Sequence, residues 1–266
     1  MLGKLLAQGR TGELYEWQDG QVLKLFFDWC PQDWAAREIL VNRQLLTSDA
    51  PVPKLLDVAQ IDGRQGLIFE RADGPTLLYV ARTQPWLLIK VAHLLAELHT
   101  RIHKLQVTGL VSVRAQLKAT IGSVGQLTRP QKAAIIQKLD QLPDGNTLCH
   151  FDFHPDQVIL TSKGPLIIDW MTAHRGPPAA DVARSSIILS MGRAPVANPL
   201  QRALMSVGQG LYHHLYLRRY LTLNPGVSVA QVQAWMVPVA AGRLNENIEN
   251  EKRRLVRFVV TALDEQ

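Results

Sequence analysis

The spacing of apolar and polar positions changes character along the chain. Over 4–8, 12–17, 22–27, 55–59 and 66–70 the runs are short and bounded by turn residues, which predicts strands. Asp19-Gly20 is a two-residue hairpin signal before the apolar run at 22–27, so the first three runs read as an antiparallel meander. Pro31 and Asp33 open a helix over 34–46, with Ile39, Leu40, Leu45 and Leu46 as its apolar positions, and Pro51 and Pro53 close it. After the turn-rich stretch Ala72-Asp73-Gly74-Pro75 the period lengthens. Leu87, Leu88, Val91, Leu94, Leu95, Leu98, Ile102 and Leu105 form a stripe at helical spacing. Thr128-Arg129-Pro130 starts a further helix over 131–142. Strand character returns at 147–149, 158–161 and 166–168, and helical runs follow at 179–191, 200–220 and 229–259. The pattern predicts an α+β chain: a small β-rich lobe with one main helix at 1–70, a hinge at 71–74, and a larger, mainly α-helical lobe at 75–266 that carries a small sheet.

Composition narrows the classes. With 47% hydrophobic and 20% charged residues among 266, the chain has enough apolar side chain for a sizeable core, which excludes a disordered, collagen-like or coiled-coil protein. No stretch approaches the roughly 20 apolar residues that cross a bilayer, and the first residues lack the apolar core of a signal peptide. Cys30 and Cys149 form neither a disulfide framework nor a metal spacing. The expectation is a cytoplasmic protein without a membrane partner. Its 29 Lys and Arg against 23 Asp and Glu give a net charge of +6, suited to a phosphate-bearing partner. Nucleic acid is not expected, because there is no basic helix, RNA-binding aromatic motif or zinc pattern.

The densest chemistry lies at His150-Phe151-Asp152-Phe153-His154-Pro155-Asp156-Gln157, followed by a strand, the turn Ser162-Lys163-Gly164, a second strand and Ile168-Asp169-Trp170. Such a hairpin returns the end of its second strand to the loop before its first, so Asp152, Gln157 and Asp169 are expected to converge. A base, an amide oxygen and a second carboxylate are what Mg²⁺-dependent phosphoryl transfer requires.

The three motifs His150-x-Asp152-x-His154-Pro155-x-Gln157, Ile168-Asp169-Trp170 and Gly176-Pro177-Pro178-Ala179-Ala180-Asp181, in this order and spacing, resemble those of the aminoglycoside phosphotransferase and choline kinase-like family. The resemblance covers essentially the whole chain and implies a bilobal protein-kinase-like fold that binds ATP and Mg²⁺ in its cleft. It makes Asp152 the catalytic base and Asp169, with Gln157, the Mg²⁺ ligand. His150 and His154 are expected to scaffold the loop, and Asp181 to anchor it. Gly9-Arg10-Thr11-Gly12 would cover the phosphates, Lys24 would meet their charge and Glu38 would pair with Lys24. The backbone of Phe69, Glu70, Arg71 and Ala72 would meet adenine. Two residues depart from the pattern: Phe151 stands where the family has Gly, and Gln157 where it has Asn. The first is tolerated if the ring packs into the lobe. The extra methylene of the second predicts slowed but not abolished transfer. The same residue leaves an alternative open, a catalytically impaired nucleotide-binding or regulatory protein.

The expected acceptor is a small hydroxylated molecule, an aminoglycoside-like sugar or an amino-alcohol. Residues 176–266 hold ten Lys and Arg against six Asp and Glu, a balance of +4 that is a poor host for a polycation. Glu246 and Glu249 are expected to share one helix face with Asn250 and receive an ammonium or sugar hydroxyls. Trp170 is a candidate to border the acceptor.

Overall fold

The computed structural model describes residues 2–192 and 198–264. It divides into two packed units, Met1–Thr83 with Pro155–Ala173, and Gln84–His154 with His174–Gln266.

The first unit is built on a five-stranded antiparallel sheet in the order β1-β2-β3-β5-β4, with β1 Leu5–Gln8, β2 Gly12–Glu16, β3 Gln21–Phe26, β4 Leu55–Ile61 and β5 Arg64–Glu70. Strand β3 obeys the two-residue period. Val22 and Phe26 join a core with Leu67, Phe69, Ala35 and Met171, while Leu23 and Leu25 pack with Ile68 in another cluster. Lys24 lies between Val22 and Phe26 in the alternation, so a charged side chain is carried on the face that meets α1 Gln32–Leu45. The buried stripe of α1 is Ala35, Glu38, Val41, Asn42 and Leu45. The expected apolar positions Leu40 and Leu46 are exposed instead. Leu45 and Ile39, also expected, do pack inward, and the stripe includes two polar residues that hydrophobicity alone does not reveal. Gly12 is demanded by packing, since a Cβ there would sit 2.5 Å from the Leu25 carbonyl oxygen of the neighbouring strand.

After β5 come the short helix α2 Leu77–Thr83 and later the hairpin β7 Val158–Thr161 with β8 Gly164–Ile167. The hairpin belongs to this unit. Thr76 bridges Ile159, Leu160 N–H donates to the Pro75 carbonyl at 2.9 Å and Ile167 N–H to the Pro51 carbonyl at 2.7 Å. These ties bind the hairpin to residues 51–76 of the same unit. Gly74 has φ 156, and a Cβ there would fall 2.0 Å from the Leu160 carbonyl oxygen, so only glycine permits this docking.

The second unit is mainly helical: α3 Leu88–Ile102, α4 Val113–Ser123, α5 Arg129–Gln141, α6 Pro178–Met191, α7 Pro199–Leu223, α8 Val229–Arg243 and α9 Glu249–Asp264. A two-stranded sheet, β6 Thr147–Cys149 with β9 His174–Gly176, brackets the catalytic-loop segment. The run expected as one helix over 229–259 is two helices, because the chain turns at Leu244–Glu246 and Asn247 takes a left-handed φ of 50°. Helix α4 was legible locally in its Ser112 cap, whose hydroxyl accepts the Ala115 N–H, and in Val113, Leu117 and Ile121 at four-residue spacing. Helix α6 is buried on nearly every side from Ala179 to Ile187, with two charged residues, Asp181 and Arg184, inside that run. Buried charges three residues apart on a helix share a face and require partners. Among the described residues, no helix is long and apolar enough to cross a membrane.

Candidate functional site

In the first unit, Lys24 Nζ lies 2.7 Å from Glu38 Oε2 and 2.7 Å from Asp169 Oδ1. Glu38 is 2% exposed. The backbone of Trp170 hydrogen-bonds it, and burial raises its carboxyl while Lys24 opposes the rise. Burial by itself would lower the Lys24 ammonium, but the carboxylates of Asp169 and Glu38 outweigh it and hold the charge above the ordinary lysine value. Asp169 follows β8 in a left-handed conformation, φ 67° and ψ 65°, and its side chain retains solvent access. The Gln157 amide nitrogen donates to Asp169 Oδ2 at 3.5 Å, and Ile168 N–H donates to the Gln157 carbonyl at 3.0 Å. The hairpin therefore brings Gln157 and Asp169 together. A carboxylate and an amide carry the oxygen types a hard divalent cation takes, and they would suit Mg²⁺ once the Gln157 amide, whose nitrogen here faces Asp169, presents its oxygen.

Other expected nucleotide contacts are partly committed elsewhere. Gly9–Gly12 is the turn between β1 and β2, closed by Gly9 N–H donating to the Gly12 carbonyl at 2.9 Å; Arg10 is exposed and Thr11 half-buried. At the end of β5, Glu70 N–H donates to the Lys54 carbonyl and Arg71 N–H to the Gly20 carbonyl, both at 2.9 Å. Those two amides are consumed within the fold and are not adenine donors. The Phe69 ring is core, the Arg71 side chain pairs with Asp73 and Glu16, and Ala72 is half-buried. Trp170 is 1% exposed, with its indole N–H donated to the Ile167 carbonyl. It is an interior ring and does not border an acceptor.

In the second unit the catalytic-loop segment hangs from α6. Asp181 accepts the His150 N–H through Oδ2 at 2.6 Å and the Phe151 N–H through Oδ1 at 2.9 Å. The same Oδ2 lies 3.1 Å from His99 Nε2 and 3.2 Å from His103 Nε2. Their Nδ1 atoms each lie 2.6 Å from a hydroxyl, Tyr216 for His99 and Tyr220 for His103. With Nδ1 accepting from tyrosine, Nε2–H is left to face the carboxylate. Burial would raise the Asp181 carboxyl, but His99 and His103 outweigh it and hold it well below the usual range. His99, buried and next to His103, is lowered to about 4. His150 is fully buried and tied through its backbone to Asp181.

Phe151 adopts φ 62°. This left-handed backbone costs an L residue about 1–2 kcal/mol and costs glycine little. Compensation comes from the ring, which is 7% exposed, lies edge-on to His174 and has the Arg184 guanidinium 5.6 Å from its centre. Sequence alone shows the Gly-to-Phe departure but not the dihedral it must satisfy. Phe151→Gly is expected to be about 1 kcal/mol more stable than Phe151→Ala in urea unfolding, both below the parent for loss of the ring. The reverse order of the two variants would remove the left-handed requirement.

Asp152 is 27% exposed at its side chain, with His154 Nε2 3.6 Å from Oδ2 and Arg184 Nη2 3.6 Å from Oδ1. Arg243 Nη1 lies 4.0 Å from the same Oδ1. Burial on its own would raise this carboxyl. The His154 hydrogen bond and charge, with the charges of Arg184 and Arg243, outweigh burial and hold it well below the usual carboxylate range. Glu246 and Glu249 do not share a helix face: Glu246 lies in the turn after α8 and Glu249 opens α9, exposed. Glu246 is ion-paired with Arg184 and Arg243, two arginines the sequence pattern left unmarked.

A strand lysine locked to a helix glutamate, a carboxylate–amide pair after a hairpin, and a loop aspartate hung from a buried anchor define a phosphotransferase on a protein-kinase-like fold. Solved structures share the fold. The aminoglycoside phosphotransferase APH(4)-Ia, a thermostable mutant in complex with AMP-PNP and hygromycin B, is 18% identical with a TM-score of 0.65, covering 98% of this chain and 91% of that one. APH(2")-IIa with streptomycin and ATP is 14% identical, TM-score 0.58, covering 100% and 92%. A putative fructosamine-3-kinase from Haemophilus somnus 129PT is 10% identical, TM-score 0.61, covering 96% and 90%. No curated protein matches in sequence. The family profile described as "Phosphotransferase enzyme family" matches residues 5–215, and the chain belongs to that family.

Proposed function

We propose that the protein transfers the γ-phosphoryl group of ATP to a hydroxyl of a small acceptor, an aminoglycoside-like sugar or an amino-alcohol. The observation that carries this reading is the Lys24–Glu38–Asp169 constellation, which fixes an ammonium beside an open carboxylate. Lys24 meets phosphate charge and Glu38 holds it in place. Asp169 and Gln157 would hold Mg²⁺, which when bound supplies neutralisation of phosphate charge. Asp152 orients the acceptor hydroxyl and accepts its proton. A carboxylate so firmly ionised is a weak base, which suits a loose transition state where the proton leaves late. The similar structures holding hygromycin B and streptomycin support a hydroxylated, amine-bearing acceptor.

The test is a transfer screen with purified protein, ATP and Mg²⁺ against hydroxylated amines and sugars, scored by phosphorylated product. Transfer to at least one alcohol is expected. ATP binding without transfer to any acceptor would overturn the kinase reading. Within this scheme, Gln157→Asn shortens the donor by one methylene and is expected to raise kcat several-fold while lowering the Mg²⁺ concentration at half-maximal rate. An unchanged rate and Mg²⁺ dependence would show that the longer side chain costs nothing.

A further inference from the structure

Arg184 points from the middle of a buried helix at the loop that carries Asp152, and two of its three nitrogens have defined partners there. Nε donates to the Phe151 carbonyl at 3.0 Å, and Nη2 pairs with Glu246 Oε1 while lying 3.6 Å from Asp152 Oδ1. Arg243, at the end of α8, repeats the arrangement from the other side. Its Nη1 lies 3.2 Å from Glu246 Oε2 and 4.0 Å from Asp152 Oδ1, while its Nε and Nη2 grip Glu251 at 2.6 and 3.0 Å. Both guanidiniums and Glu251 are under a tenth exposed. Two buried cations are thus shared among three carboxylates, and neither arginine hydrogen-bonds Asp152 directly at normal length. Structural ion pairing is complete without Asp152, since Glu246 and Glu251 already balance the two charges. What the arginines add is a fixed field and a fixed loop backbone at the one carboxylate with work to do.

We propose that Arg184 and Arg243, bridged by Glu246, are positioning residues that set the Asp152 carboxylate and tie the α8–α9 turn to the catalytic loop. Arg184 restrains the strained Phe151 peptide directly before Asp152, and a planar fork does this where a lysine cannot: Nε and Nη2 must reach two acceptors at once. Among the charged groups facing Asp152 are His154, Arg184 and Arg243, and Glu246 is the counter-charge that the two arginines share. Losing either cation removes part of the field that keeps Asp152 ionised. Any acceptor group that engages Glu246 in the turn competes with the two arginines for the same carboxylate, which couples acceptor binding to the position of the base.

The inference rests on the kinase reading for its catalytic meaning, so the experiment carries one readout that does not. In Arg184→Lys, kcat is expected to fall roughly 100-fold with KM for ATP unchanged, and the acid limb of the kcat–pH profile to move upward. Glu246→Gln is expected to lower kcat less, because both arginines stay in place. Independently of turnover, carboxyl ¹³C titration of Asp152 in the full chain is expected to rise by about one unit or more in Arg184→Gln and Arg243→Gln, which remove the charge, and by less in Arg184→Lys, which keeps it. A drop in melting temperature with unchanged kcat, pH profile and Asp152 titration would reduce the arginines to structural ion pairs and overturn the proposal. If no acceptor is ever phosphorylated, the kinase reading fails, and the Asp152 titration still decides whether the arginines set that carboxylate.

Discussion

Asp152→Asn is expected to lower kcat by roughly 10³-fold, with KM for ATP and melting temperature close to the parent. The substitution keeps the shape of the side chain and removes only its ability to accept a proton and to hold a hydroxyl as a charged acceptor. The charges of His154, Arg184 and Arg243 that keep it ionised act at 3.6–4.0 Å across a partly exposed side chain, so neutralising it is expected to shift melting only slightly. Arg184 and Arg243 retain Glu246 and Glu251 as counter-charges, so no buried cation is orphaned. ATP affinity is expected to persist because Lys24, Glu38 and Asp169 lie in the other packed unit. Steady-state kinetics with ATP-analogue binding checks both halves. A variant keeping more than about a tenth of parental kcat would remove Asp152 from the role of base.

The second large effect is on folding. Asp181→Asn is expected to cost about 3–5 kcal/mol, because a fully buried carboxylate that serves two backbone amides and faces two histidines becomes an amide with an NH₂ among donors. For a chain of this length that is a melting midpoint lower by roughly 10 °C. Turnover should fall as well, since the peptide before Asp152 loses its support. The same cluster makes stability depend on pH in a defined direction. His99 is lowered to about 4 from an ordinary value of 6.5, so between those values the unfolded chain binds a proton that the folded chain does not. Stability is therefore full above about 6.5 and is lost as pH falls toward 4. Asp181, held well below 3.8, adds a second loss once pH falls below about 3.8, where the unfolded carboxyl binds a proton that the folded one does not. Melting curves from pH 7 to pH 4 in parent and His99→Gln check this: the loss should be shallower in the variant, and identical slopes would remove His99 as the source.

Much of the candidate site was legible because it is local. Gln157 and Asp169 flank one hairpin, and hairpins are short enough for turn chemistry and alternation to reveal them. Lys24 was readable as the odd charge in an apolar strand, and Glu38 lies on the one helix of its lobe. Asp181 stood out as a carboxylate at the start of an apolar run.

Other features were invisible along the chain. Which side of α1 faces the sheet was decided by Glu38 and Asn42, polar residues that burial tolerates because Lys24 and the Glu38 carbonyl receive them. The amides of Glu70 and Arg71 were claimed by Lys54 and Gly20, and Trp170 turned inward to reach the Ile167 carbonyl. Glu246 left its predicted helix face for arginines, one of them 62 residues away.

The sequence by itself determined most of the strands and helices, the family and the spacing of its motifs, since these rest on patterns of a few residues that a chain cannot hide. Only the tertiary structure decided which charged groups meet. A hydrophobic period specifies an element and a face to bury, whereas the partner of a buried charge is set by which distant element packing delivers to it. The buried arginines beside Asp152 are a product of that delivery.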